Sequence, residues 1–232
     1  MMKKVLYTLN IGDYEPEIRE FTYPLLKWHA RKMGAEFVEI TERKFPDWPV
    51  TYEKLQIQEM AKRNGADWHV FYDADSLIHP SMPDLTEFIP FDTVAHHNSD
   101  YAPVRWRSDE YFKRDGRNIG SGNWCTYASK LCLDLWTPLD ISLADAIERI
   151  FPIVEEMESG HCSREHLIDD YTLSRNIARF GLKFTTLSEI VAKMPFKEAG
   201  FWLHQYRISN EEKIDLFKKR LEQWKVDLSK YR

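Results

Sequence analysis

An α/β fold with a doubly wound, mostly parallel sheet flanked by helices is what this sequence predicts, on three observations. The first 75 residues alternate strand and helix signals in the order β-α-β-α-β, a rhythm that implies parallel strands joined by crossover helices. Trp68 to Tyr72 (WHVFY) is a nearly unbroken apolar run, as a central strand covered on both faces requires. Hydrophobic residues make up 43% and charged residues 30% of 232, a balance that supplies a packed core rather than disorder.

The elements follow in order. Lys3 to Leu9 (KKVLYTL) reads as the first strand, ending at Asn10-Ile11-Gly12-Asp13. Thr22 has the character of an N-cap with Pro24 in the first helical turn. Leu25, Leu26, His29 and Met33 then recur at helical spacing, and Gly34 closes the helix. Phe37 to Ile40 is a short strand. Thr51 is the expected cap of the next helix, with Lys54 one turn in and an end near Asn64-Gly65. Beyond the WHVFY strand the pattern is less regular. Strands are expected at Thr93 to His96, Trp124 to Tyr127 and Lys183 to Leu187, and helices at Leu131 to Trp136, Leu143 to Met157 and Leu167 to Arg179, the last stopping at Gly181. Val104 to Arg117 is highly charged and reads as a long loop. Asn210 to Leu228 is an amphipathic helix whose Ile214, Phe217, Leu221, Trp224 and Leu228 step by three and four. Such a stripe packs on its own domain; a homodimer contact is the alternative.

Composition bounds the function. The net charge is −5, which argues against nucleic acid as the main partner, because phosphate binding wants a basic face. No apolar run approaches the roughly 20 residues needed to span a bilayer, and Thr8, Asn10, Gly12 and Asp13 interrupt the N-terminal run too early for a signal peptide. The three cysteines, Cys125, Cys132 and Cys162, form no C-x-x-C pair and fit reduced thiols, so a cytoplasmic location is expected. The absence of a linker or repeat implies one domain over 1–232, in two halves at 1–80 and 81–206 with the terminal helix at 207–232.

The sharpest feature is Asp73-Ala74-Asp75 directly after the buried strand. Residues two apart on an extended chain point the same way, so Asp73 and Asp75 present two carboxylates together. Ligands of open parallel sheets bind beyond the carboxyl ends of the strands. Two such anions repel unless a cation sits between them. A hard divalent cation takes oxygens from carboxylate and phosphate alike, and can neutralise charge on a departing nucleotide. A solvated Asp-x-Asp turn is the plainer alternative.

With this motif the sequence resembles the nucleotide-sugar transferases of the GT-A fold. Further segments resemble the galactomannan galactosyltransferase and xyloglucan xylosyltransferase family, and the small chlorella-virus transferases. Tyr52-Glu53-Lys54-Leu55 is similar to that group's aromatic-x-Lys helix start. Asp67-Trp68 through Ile78 resembles its acidic strand block, and Asn118-Ile119-Gly120-Ser121-Gly122, followed by Leu133-Asp134-Leu135-Trp136, its glycine strand and short helix. Asp169-Asp170-Tyr171-Thr172-Leu173 resembles the acidic helix start near the transferred sugar, and Trp202-Leu203-His204 the late histidine that completes the metal site. Where relatives often carry Gln-Asp or Glu-Asp, this chain has Asp169-Asp170, so the aligned acid is ambiguous by one position.

The resemblance implies roles. Asp73, Asp75 and His204 would hold Mn²⁺ or Mg²⁺; an imidazole beside two carboxylates suits Mn²⁺. Without the resemblance, His204 in Phe201-Trp202-Leu203 reads as a hydrogen-bonded core residue. Thr8, Asn10, Asp13 and Tyr14 would receive the base and ribose, or else form an ordinary strand-to-helix turn. Lys54 at a helix start is a macrodipole misfit that a diphosphate or carboxylate partner would relieve, or else a solvated lysine. Gly120 and Gly122 would floor the sugar pocket, their lack of a Cβ allowing close approach, or else mark a tight turn. Asp170, ahead of Asp169, would bind sugar hydroxyls or act as a base; helix N-terminal charge complementarity is the alternative. Arg105, Arg107, Lys113, Arg114 and Arg117 would clamp a diphosphate as a lid or form a solvated loop balanced by Asp109, Glu110 and Asp115. His161, Cys162 and His166 match no common zinc spacing.

The expected activity is transfer of a hexose or related sugar from a nucleotide-diphosphate sugar, by resemblance a UDP-sugar, to a carbohydrate hydroxyl. A sugar-nucleotide nucleotidyltransferase is the rival enzyme, disfavoured by the single glycine in Asn10-Ile11-Gly12-Asp13. A non-catalytic carbohydrate-binding domain is the rival from another class.

Overall fold

The computed structural model describes residues 2–97, 102–115, 124–151, 163–194, 200–205 and 208–232. Its strands are β1 (Lys4–Leu9), β2 (Ala35–Ile40), β3 (Trp68–Tyr72), β4 (Leu77–Ile78), β5 (Thr93–His96), β6 (Cys125–Ser129), β7 (Lys183–Thr186) and β8 (Trp202–Leu203). Six form one sheet in the order β2-β1-β3-β6-β5-β7. β6 runs antiparallel to both neighbours, and every other adjacent pair is parallel. The mostly parallel α/β sheet expected from the sequence is present. β4 and β8 form a separate antiparallel ribbon.

The helices are α1 (Pro16–Met33), α2 (Ile57–Asn64), α3 (Ala102–Asp115), α4 (Leu143–Arg149), α5 (Ile168–Arg179), α6 (Leu187–Ala192) and α7 (Asn210–Trp224), with 3-10 turns at Val50–Gln56 and Lys130–Trp136. They cover both faces of the sheet. Val5, Tyr7, Phe71, Val94 and Ala128 pack toward α2, α5 and the two 3-10 turns. Leu6, Val70, Tyr72, Ala95 and Tyr127 pack toward α1 and α6. The alternation along each strand thus feeds two cores, which is why β3 is buried at all five positions.

Several local expectations are corrected. Thr22 does not cap α1, and Pro24 lies inside that helix; Glu15, at φ 38°, is the N-cap residue, and Pro16 and Glu17 supply the start. Thr22 is fully buried, with its hydroxyl donating to the carbonyls of Ile18 and Ala74. Thr51 does not cap either: the turn begins after Pro49 without a side-chain cap, and Thr51 Oγ1 has no partner among the described residues. The charged stretch read as a loop is helix α3. Arg107 and Tyr111, four apart, are buried at 4% and 3% exposure, and this narrow inner face holds an otherwise charged helix down. Arg105, Asp115 and Arg117 lie outside the described side chains. Helix α4 ends at Arg149, earlier than expected, because Ile150 turns extended to bury its side chain; His161 and Cys162 lie outside the described residues.

Helix α7 starts with a capping box, Ser209 and Glu212 exchanging side-chain and backbone bonds. It stops at Trp224, with Lys225 left-handed at φ 55°. Phe217 and Leu221 bury against Ile18 and Leu25 of α1 and Leu77 of β4, so the stripe packs on its own chain. Among the described residues no helix is long and apolar enough to cross a membrane.

Candidate metal centre

β3 delivers Asp73 to the C-terminal edge of the sheet, and hydrogen bonds fix the turn that follows. Asp73 N donates to Trp124 O at 2.8 Å, and Ser76 N to Asp73 O at 3.0 Å. Thr22 Oγ1 donates to Ala74 O at 2.5 Å, tying the turn to α1. Ala74 is itself 4% exposed and packs in the core, so its neighbours point the other way.

β4 then leaves the turn and pairs with β8, Leu77 opposite Leu203 and Ile78 opposite Trp202. Continuing that antiparallel ladder by one residue carries His204 back to the acidic turn. Its Nε2 lies 3.3 Å from Asp75 Oδ1 and 3.6 Å from Asp73 Oδ2. The imidazole stacks on Trp124, ring centres 5.0 Å apart and planes 6° from parallel. Asp73, Asp75 and His204 each offer one ligand atom, all within 4.8 Å of one another.

Two lysines flank the trio. Lys54, 1% exposed, comes from the first 3-10 turn and reaches Asp169 at the start of α5, with Asp73 Oδ1 at 3.6 Å and the Phe71 ring centre at 4.5 Å. The lysine that looked misplaced at a helix start therefore answers carboxylates. Lys213, in the first turn of α7, donates to Asp75 Oδ2 at 2.5 Å. Asp170 faces Arg107 Nη2 of α3 at 3.7 Å.

The charges are unevenly balanced. Burial raises the Asp73 carboxyl pKa, as do the Asp75 and Asp169 charges, against the pull of Lys54 and His204; the net direction is up. Burial also pushes Asp75 up, but His204 and Lys213 outweigh it and hold the group well below the usual carboxylate range. Burial disfavours the charged form of Lys54, yet Asp169 and Asp73 overcome it and its pKa rises. In this cluster four carboxylates (Asp73, Asp75, Asp169, Asp170) face three permanent cations (Lys54, Lys213, Arg107), and Asp73 is the group left short of positive charge.

The loop after β1 is more self-contained than expected. Asn10 donates to Glu39 Oε2 at 2.9 Å and accepts from Tyr14 N at 3.1 Å. Asp13, left-handed at φ 55°, pairs with Arg19. Tyr14 lies near enough to the acidic turn that burial, then Asp75 and Asp73, raise its hydroxyl pKa. Thr8 at the tip of β1 is fully buried, and its Oγ1 has no partner among the described residues. Gly120 and Gly122 lie outside the described residues.

Lys213 escaped the sequence reading, although a signal was there. It shares the buried four-residue step of Phe217 and Leu221, and a lysine in an apolar stripe at a helix start is the same misfit that singled out Lys54. The stack of Trp124 on His204 had no signal in the sequence.

No protein-family model matches the chain, and no curated protein sequence matches it. Among solved structures it is similar to "a glycosyltransferase involved in the glycosylation of the major capsid of PBCV-1", with TM-score 0.52, 12% identity, and coverage of 93% of this chain and 99% of that one. A structure of a protein from STIV aligns with TM-score 0.42, 14% identity, and coverage of 80% and 82%, too loosely to bear on the fold. The chain therefore has the fold of the PBCV-1 glycosyltransferase.

Proposed function

We propose that the chain is a metal-dependent glycosyltransferase that moves a hexose or related sugar from a UDP-sugar to a hydroxyl of a glycan or glycoconjugate. The observation that carries this reading is the convergence of Asp73, Asp75 and His204, from two separate elements, at the C-terminal edge of a parallel sheet. The fold shared with the PBCV-1 enzyme supports it, as do the motifs that resemble the galactomannan galactosyltransferase and xyloglucan xylosyltransferase family.

The donor set fits Mn²⁺ or Mg²⁺. Two ligands at about 2.1 Å from an ion and at right angles lie about 3 Å apart, close to the 3.3 and 3.6 Å between His204 and the two aspartates. Asp73, Asp75 and His204 would hold the ion through two carboxylates and an imidazole, a donor set that suits Mn²⁺. A divalent cation bound there would supply electrostatic stabilisation to the diphosphate leaving group.

The chain's own groups do the rest. Lys54 fixes Asp169 and Asp73 relative to each other. We assign Asp170, ahead of Asp169, to orient the sugar hydroxyls, with its carboxylate facing Arg107. Lys213 neutralises the outer oxygen of Asp75, and Trp124 holds the imidazole plane. Tyr14, exposed beside the acidic turn, is offered to the nucleotide, and Gly120 and Gly122 to the sugar.

The test is a thermal-shift panel of UDP-, GDP- and dTDP-sugars with and without Mn²⁺, followed by assay of free sugar release. One donor should stabilise the protein only with manganese and be slowly hydrolysed. Asp75→Ala and His204→Ala should lose both effects. Equal shifts in the variants and the wild type, or no manganese-dependent shift for any donor, would sink the proposal.

A further inference from the structure

The two aspartates of the candidate metal centre divide their oxygens in the same way. Asp75 turns Oδ1 toward His204 Nε2, at 3.3 Å, and Oδ2 toward Lys213 Nζ, at 2.5 Å. Asp73 turns Oδ2 toward the imidazole, at 3.6 Å, and Oδ1 toward Lys54 Nζ, also at 3.6 Å. One oxygen of each carboxylate faces the ligand trio and the other faces an ammonium. The two lysines differ in commitment. Lys54 is shared with Asp169, whereas Lys213 meets no carboxylate but Asp75 among the described residues.

Lys213 is held in place from two sides. It is 6% exposed and sits in the first turn of α7, where the helix dipole repels a cation. Burial and dipole both work against an ammonium there, and the Asp75 carboxylate offsets them. The helix itself is anchored: the Ser209–Glu212 capping box fixes its start, and Phe217 and Leu221 bury against α1 and β4. A cation that took both oxygens of Asp75 would have to displace Lys213 from Oδ2 and strand a buried ammonium.

That restriction bears on which cation the centre accepts. With one oxygen from each aspartate and one imidazole nitrogen, the chain supplies three donors. Three donors make half of an octahedral shell, the geometry that small divalent ions prefer. Calcium takes about six to eight oxygens, two of which one carboxylate can supply. Blocking the second oxygen of an aspartate therefore costs calcium more than it costs manganese.

We propose that Lys213 sets the cation preference of this centre: by occupying Oδ2 of Asp75 it confines that aspartate to a one-oxygen grip and disfavours calcium relative to manganese. The inference rests on the metal-dependent reading of the site and adds which of this chain's own residues discriminates between cations of equal charge.

The full chain is titrated with Mn²⁺ while free manganese is followed by its electron paramagnetic resonance signal, and Ca²⁺ is then added as competitor. Lys213→Met removes a positive charge and should tighten both ions. Because the ions carry the same charge, that effect cancels in the ratio of their dissociation constants. The calcium-to-manganese ratio should fall about tenfold in Lys213→Met, the scale on which groups behind a metal ligand act. It should keep its wild-type value in Lys213→Arg, which retains a cationic donor for Oδ2. A ratio unchanged in Lys213→Met, or as low in Lys213→Arg as in Lys213→Met, overturns the proposal and leaves the transferase reading standing. A wild type that binds no Mn²⁺ overturns both. If Lys213→Met does not fold, the infrared difference spectrum of the wild type with and without Mn²⁺ carries the test. A one-oxygen grip spreads the two carboxylate stretching bands apart, and a two-oxygen grip draws them together. A widened pair is expected, and a narrowed pair alone overturns the proposal.

Discussion

Lys54 is the residue on which the acidic cluster turns. Its ammonium is 1% exposed and sits among Asp169, Asp73 and the face of Phe71. A cation in such a place loses its hydration, and only close carboxylates hold it ionised. Removing it strands Asp169 as a buried charge and takes from Asp73 one of the two groups that restrain its pKa. Lys54→Met should therefore destabilise the fold by roughly 3–5 kcal/mol, the cost of breaking a buried pair from one side. Adding Asp169→Leu should restore part of the loss, since it removes the carboxylate that Lys54 grips and leaves only Asp73 short of its cation. Urea denaturation of the single and double variants measures both. A double variant no more stable than Lys54→Met would show that the pair is not the source of the effect.

At the scale of the element, what was legible in the sequence follows from how each element gets its burial. β3 could be read because all five of its residues are covered, and a strand covered on both faces must be apolar throughout. The acidic pair was legible as its continuation. α3 was misread because only Arg107 and Tyr111 of its described side chains turn inward, and neither signals a core position in a run of charges. The start of α1 was misplaced because Thr22 and Pro24 imitate a cap, while Glu15 achieves the turn through a left-handed backbone that no side chain announces. His204 depends on the pairing of β4 with β8, two strands too short to show a period, and only motif order located it. α7 joins packing to the site: Phe217, fully buried against α1 and β4, holds the helix that carries Lys213 to Asp75. Phe217→Ala should cost about 3–5 kcal/mol by cavity formation. Amide exchange should then accelerate in α7 while β1 and β3 stay protected. Uniform acceleration across β3 and α7 would mean that α7 is not a separable unit.

Over the whole molecule, the two cores on either side of the sheet contain imidazoles that folding keeps neutral. Burial lowers the pKa of His29, His69 and His97 from 6.5 to about 4 each. His29 Nε2 has no partner among the described residues, and its ring packs edge-on against Tyr72 at 6.0 Å; His69 is held by Tyr7 and the Ala66 carbonyl. Between pH 6.5 and about 4 the unfolded chain binds these protons and the native state does not. Stability therefore rises with pH in that window, is complete above 6.5, and falls as acid is added, by on the order of 3 kcal/mol at pH 4 for each such group. Urea midpoints taken across that window, with a chelator present so that no metal stabilises the acidic cluster, should drop steadily. His29→Phe removes one of these titrations while keeping a ring against Tyr72, so its midpoint should fall less steeply than that of the wild type. A wild-type midpoint that stays level from pH 6.5 to about 4 would mean that the imidazoles meet water or protonate in place, and that the cores are not closed around them.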